Sequence, residues 1–411
     1  MTGSDSGGGP TSDTGPAALR GRATRVLRAY APGPEPGPHD GYLANRDPRT
    51  GEVYDAESSH LVAAARFVAN FCVVDRLGGP EWTLDAAGRA LDFLTSVHGD
   101  RERGGFHWLV EGRDPADSRR VCYGHAFAVL ACARAAERGV DGADAELRRA
   151  LAALDRFFEP EHDLYASAFD ADWQEREPYR GQNANMHACE ALLAAYDATG
   201  EDTHLDRAAT IARRITVHLA RGDRIWEHYT ADWRPDMEYN RDEPRDQFRP
   251  WGYQPGHHLE WAKLCCELDA RHGDAWFLPR ARALFDLAVE SGWEARRGGF
   301  AYTLAPDGEV VVADRYGWVV AEGIGAAARL ADRTAGEESE SGDDPAERYR
   351  GWHDRLWAYA DETFVAPAGC WYEATTPAGE PIVDLDGPAV EPGYHPIGAC
   401  LAGVESFGAT D

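Results

Sequence analysis

Lysine is all but absent from this 411-residue chain: Lys263 is the only one, and the other basic side chains, 42 in all with it, are arginines. Acidic residues number 70, for a formal net charge of −28. That balance excludes a nucleic-acid backbone as partner, because repulsion would replace counterion release. An acid excess with arginine in place of lysine is the pattern of proteins bathed in concentrated salt, where carboxylates hold hydration and their repulsion is screened. A halophilic origin is the expectation. Long apolar runs are missing too. No stretch approaches the roughly 18–20 residues that cross a bilayer, and the start lacks the charged-then-apolar pattern of a secretory signal. A soluble, cytoplasmic protein with no membrane partner is expected. The eight cysteines include no C-x-x-C pair and sit mostly within apolar runs, so neither a zinc site nor a disulfide framework is expected.

Glycine, proline and serine crowd the first 40 residues, which read as a flexible segment apart from a short helical pattern around 18–30. Residues 41–411 read as a single domain in which helical periodicity dominates, with candidates near 58–76, 84–98, 123–138, 143–158, 183–198, 203–220, 257–271, 275–292, 317–332, 345–363 and 394–406. Between helix pairs an aromatic, turn-containing stretch recurs every 60–75 residues, beginning at 104, 163, 224, 298 and 369. Each reads as a short β-hairpin. A unit of two helices and a hairpin cannot bury its apolar face alone, and six such units close into a ring with no exposed end. The fold expected is all-α, a closed α/α barrel whose hairpins gather at one end and frame a pocket. An open solenoid would need atypical capping repeats, which are not evident.

Four clusters carry candidate chemistry. In YRGQNANMHACE the helix opens on Gln182, Asn183, Asn185 and His187, more polar groups than a cap requires. Asn183, His187 and Glu190 fall within about 60° of one another on one stripe. In PWGYQPGHHLEWAKL, Pro255 and Gly256 start a helix on which His257 and Glu260 share a face. EPGYHPIGAC delivers His395 to another helix start, and Arg66 interrupts an otherwise apolar helix. Inner helices of an α/α barrel begin at a common end, so the three histidines converge. The H-x-x-E spacing of His257 and Glu260 also admits a metal reading with His187 or His258, but no strong zinc motif is present. No G-x-S-x-G elbow or nucleotide-binding glycine loop appears. Histidines with an arginine suit proton transfer next to a carbonyl: a base with pKa near ~6.5 works at neutral pH, and a fixed cation stabilises the enediolate.

At these motifs the chain resembles the N-acylglucosamine 2-epimerase family. The matching phrases are RGQNANMHACEALLAAYDATG, PGHHLEWAKLC, YGHAFAVLACA, YGWVVAEGIGAA and GCWYEATTPAGEP followed by YHPIGAC. They span residues 50 to 406 in the family's order. The resemblance implies an (α/α)6 barrel and cofactor-independent, metal-free isomerisation or epimerisation of a small sugar, by a monomer or homodimer. It implies catalytic roles for His187, His257, His395 and Glu260. Substrate-binding roles fall on Arg66, Asn183, Trp318 and Glu322, with Glu391 at the mouth of the pocket. The YGHAF and EHYTADW phrases look closer to the family's isomerase branch, and an acidic pocket with Glu391 suits a neutral hexose, so mannose–fructose interconversion through an enediolate is the leading expectation. The alternative is 2-epimerisation of a hexose, N-acylhexosamine or disaccharide. Two further readings differ in class: an (α/α)6 glycoside hydrolase, which needs paired carboxylates, and a sugar-binding barrel without turnover.

Overall fold

A computed structural model describes residues 13–337 and 344–408. Among the described residues twelve α-helices alternate between an inner and an outer ring. The inner ring is α2 (Leu61–Arg76), α4 (Cys122–Glu137), α6 (Gln182–Thr199), α8 (Pro255–Arg271), α10 (Gly317–Arg333) and α12 (Tyr394–Phe407). The outer ring is α3 (Thr83–Phe93), α5 (Ala143–Leu154), α7 (Asp202–Arg213), α9 (Phe277–Gly292), α11 (Pro345–Thr363) and, first in the chain, α1 (Pro16–Tyr30). Each inner helix packs on its two inner neighbours, and α12 returns to α2. The chain is an (α/α)6 barrel.

The two rings differ in sequence for a physical reason. Inner helices are enclosed on all sides and are accordingly rich in small and apolar residues all round. In α4, CYGHAFAVLACARAAE, nearly every side chain is buried. Outer helices bury one stripe only, such as Leu205, Ala208, Ala209, Ile211 and Ala212 of α7.

The short helical pattern expected around 18–30 is α1. Residues 1–12 lie outside the described residues, whereas α1 is the outer partner of α12. It buries Leu19, Ala23, Val26, Leu27 and Tyr30, and Arg22 pairs with Asp361 of α11. What holds this short helical stripe lies at the other end of the chain, in α11 and α12.

The expected hairpins are present. Leu109–Glu111 pairs with Asp114–Asp117, Thr303–Leu304 with Val310–Val312 and Ala374–Thr375 with Pro381–Ile382, while the other two stretches close on single bridges, Phe169 with Arg176 and Tyr229 with Pro235. Most of them also pair with the short strand leading into the preceding inner helix. Ser58–His60 before α2 pairs with 109–111, Arg120–Val121 before α4 with Ala168–Phe169, Arg180–Gly181 before α6 with His228–Tyr229, and Arg315–Tyr316 before α10 with Ala374–Thr375. These clasps hold the helix N-termini at one end of the barrel.

The opposite end has its own closure. Arg76, Glu137, Arg134, Asp197, Arg271, Glu267, Arg329 and Glu405 form a ring of alternating charge that returns to Arg76 and touches all six inner helices. A cavity of about 580 Å³ separates this ring from the undersides of Glu190, Lys263, Glu322 and Tyr394.

Candidate active site

The clasped ends determine which side chains meet. Gly181 is extended at the end of its strand (φ −131°, ψ 142°), so α6 begins on Gln182 and turns His187 inward one and a half turns later. Pro255 opens α8, where its missing N–H costs nothing. Gly256 follows because a Cβ there would lie 2.5 Å from the Trp318 indole. Gly393 sits at φ +81° ahead of α12, where a Cβ would come within 2.4 Å of Val26. Only glycine fits there, and His395 is two residues on.

The three histidines are linked by contacts around one space. His395 Nδ1 lies 2.8 Å from Glu322 Oε1, and its Nε2 is 3.2 Å from Arg66 Nη2. Arg66 is buried, donates to Glu391 Oε2 (2.8 Å) and to Tyr123 OH (3.3 Å), and stacks over Phe127 and Tyr394. Tyr123 and Phe127 in turn pack on the His187 ring. His187 Nδ1 contacts Glu190 Oε2 at 3.1 Å and lies 3.8 Å from Glu260 Oε1. Trp318 spans the other side, between the rings of His257 (5.3 Å) and His395 (5.8 Å).

His257 is gripped from behind. Its Nδ1 is 2.9 Å from Glu227 Oε2, and that oxygen also accepts the Gln182 amide at 2.8 Å. The Gln182 carbonyl accepts from Trp261 Nε1, which orients the amide. Burial tends to raise the Glu227 carboxyl, but His257 and Gln182 hold it below the usual carboxylate range.

The charges deeper in the barrel are compensated as a group. Burial pushes the His187 imidazole down to about 4 against the pull of Glu190, so it is neutral at pH 7. Glu260 is pushed well above the ordinary range by burial and by the Glu322 and Glu190 carboxylates, and its Oε1 has no hydrogen-bond partner. Burial opposes ionisation of Glu322 and Glu190 as well. Lys263 reverses that for Glu322, and His187 with Lys263 for Glu190. His187, Glu190 and Glu260 could between them hold a metal ion, with donor atoms within 4.8 Å of one another. Against that use, Arg66 and Lys263 already supply positive charge to the same carboxylates.

The sequence-derived residues therefore converge, with two changes of role. Glu322 lies behind His395: it is buried, and its two oxygens are taken by His395 and Lys263. Glu391 lies on the rim but is paired with Arg66, and its Oε1 accepts from the backbone N–H of His395. Asn183 keeps a buried Oδ1 with no partner, free for a ligand hydroxyl. Asn185 is scaffolding, since its amide clamps both backbone groups of Tyr165. His258, weighed as a metal ligand, is also structural. Its Nδ1 contacts the Gln254 carbonyl and its Nε2 accepts from Ile225 N–H. His125 repeats that clamp with Val121 and Phe106.

Sequence reasoning gave no role to Glu227, Gln182, Lys263 or Tyr123. Two had left a signal: Gln182 as one of the surplus amides that open its helix, and Lys263 as the one lysine of the chain.

The family described as N-acylglucosamine 2-epimerase (GlcNAc 2-epimerase) matches residues 41–399. A D-mannose isomerase of Marinomonas mediterranea is 38% identical over 359 residues, covering 85% of this chain and 87% of its own length. A D-mannose isomerase of Thermobifida fusca is 41% identical over 291 residues, 69% of each chain. A crystal structure of D-mannose isomerase superposes with a TM-score of 0.89 at 34% identity, covering 97% of this chain and 100% of that one.

Proposed function

We propose that this chain, which belongs to the N-acylglucosamine 2-epimerase family, is an aldose–ketose isomerase that interconverts mannose and fructose. The observation that carries the reading is the His395 arrangement. Its Nδ1 faces a carboxylate and its Nε2 a guanidinium. A guanidinium has only donors, so Nε2 carries the lone pair and Nδ1 the proton. Nε2 is the base that takes the proton from C2 of open-chain mannose. The electron pair moves into the C1–C2 bond and the carbonyl oxygen becomes an enediolate, stabilised by the Arg66 cation beside it. The same proton, or one from solvent, returns from Nε2 to C1 and yields fructose. His257, held by Glu227 and Gln182, supplies acid and base to the ring oxygen and hydroxyls during opening and proton exchange. Asn183 holds a hydroxyl, and Trp318 forms an apolar wall. Glu260, raised by burial and its neighbouring carboxylates, is a proton donor in the same space.

The experiment is mannose in D2O, followed by NMR. Fructose as first product supports the reading, and the deuterium found at its C1 measures how often the proton on Nε2 exchanges with solvent before it returns. Glucose without fructose overturns it in favour of 2-epimerisation.

All of these residues come from one chain, so a monomer or a homodimer suffices. Seventy acidic residues against a single lysine support work in a salt-rich cytoplasm, with activity retained at about 2–3 M salt, where exposed charges are strongly screened.

A further inference from the structure

We propose that Lys263 is a positioning residue for this reaction: by pairing with Glu322 it keeps that carboxylate an acceptor for the Nδ1–H of His395, so that Nε2 meets the sugar as a base. The inference rests on the reading of His395 given above. Lys263 Nζ pairs with Glu322 Oε2 while the other oxygen of the same carboxylate lies 2.8 Å from His395 Nδ1. Ammonium, carboxylate and imidazole thus form a line running from the underside of the site to its reactive nitrogen.

The cation is needed because of what surrounds it. Glu322, Glu190 and Glu260 all act on Lys263; Glu322 and Glu260 are buried and Glu190 is mostly so. Buried carboxylates without a cation take up protons. A protonated Glu322 would donate to Nδ1 and move the imidazole proton to Nε2, where it would point at the Arg66 N–H groups. The base would then be lost without any change of backbone.

The choice of lysine has a local basis. Gly325, one turn beyond Glu322 on α10, leaves a groove for the lysine stem: a Cβ there would stand 3.2 Å from Lys263 Cδ. A compact ammonium with three rotatable donors suits converging carboxylates better than the planar fork of arginine, the basic residue this chain uses everywhere else.

The test is Lys263→Met, assayed on mannose from pH 5 to 10, with histidine 15N spectra of the substrate-free protein and His395 assigned against His395→Asn. General-base catalysis contributes 10²–10⁴-fold, so kcat near neutral pH falls by about 100-fold or more while KM changes little. The acid limb of the profile moves up by about a pH unit or more, and activity recovers as Glu322 ionises. The His395 proton passes from Nδ1 to Nε2. A folded variant with the wild-type profile and tautomer overturns the proposal. If Lys263→Met does not fold, Lys263→Gln removes the charge, keeps an N–H, and is read in the same way. A tautomer switch in a protein inactive on mannose would overturn the functional reading and leave the role of Lys263 standing.

Discussion

Replacing Glu227 by Gln removes one charge at a buried position beside His257. The carboxamide has the shape of the carboxylate, and Gln182 can still donate to its oxygen at the 2.8 Å now seen for Glu227 Oε2. What changes is the bond to His257 Nδ1, now 2.9 Å. With neutral imidazole it is a hydrogen bond to a single charge, the carboxylate. Once His257 takes up a proton it becomes a bond between two charges. A hydrogen bond to a charged group contributes about 1.5–3 kcal/mol. At about 1.4 kcal/mol per factor of ten, losing that gain in the transition state lowers kcat by roughly 10–150-fold, while KM is little affected. A stability loss accompanies it, because Glu227 Oε1 is buried without a partner and an amide N–H2 placed there is likewise unsatisfied, at about 1–3 kcal/mol. Initial rates of fructose formation measure the first effect, and thermal melting the second. A folded variant with kcat within twofold of the wild type would refute the account of His257.

Acid sensitivity follows from histidines outside the chemistry as well as within it: burial holds His60, His98, His125, His187 and His258 at about 3, 4, 3, 4 and 4. The unfolded chain, with histidines near ~6.5, binds protons the folded one refuses, so stability is full above ~6.5 and falls as pH drops towards these values, by up to roughly 2 kcal/mol per histidine at pH 5. Glu260 and Glu373, both raised by burial and by neighbouring carboxylates, work in the opposite sense but are two groups against five; Tm should drop by at least several degrees between pH 7.5 and 5, and a flat profile would contradict the burial argument. Gly393→Ala places a Cβ at φ +81° against Val26 and should cost about 1–3 kcal/mol with a loss of kcat as α12 shifts. Unchanged Tm and kcat would show that the left-handed turn does not set the position of His395.

The helices were legible because their starts are punctuated, by Pro255–Gly256, by Gly393 and by the amides after Gly181, and because their apolar residues recur at helical spacing. Closure into a barrel followed from counting units. The clasps were not legible, since strands of two residues carry no period. Among the site residues, periodicity found the histidines, because it resolves which face of a helix a side chain takes. It does not resolve what stands behind that face. Gln182 meets His257 75 positions away, and Arg66 meets His395 across 329; neither separation leaves a local trace. Glu322 shows the consequence. Its place beside the site could be read from its phrase, but an acid there can bind a hydroxyl or orient an imidazole, and only the lysine on its other oxygen decides between them. With both oxygens occupied, Glu322 acts on the sugar only through His395.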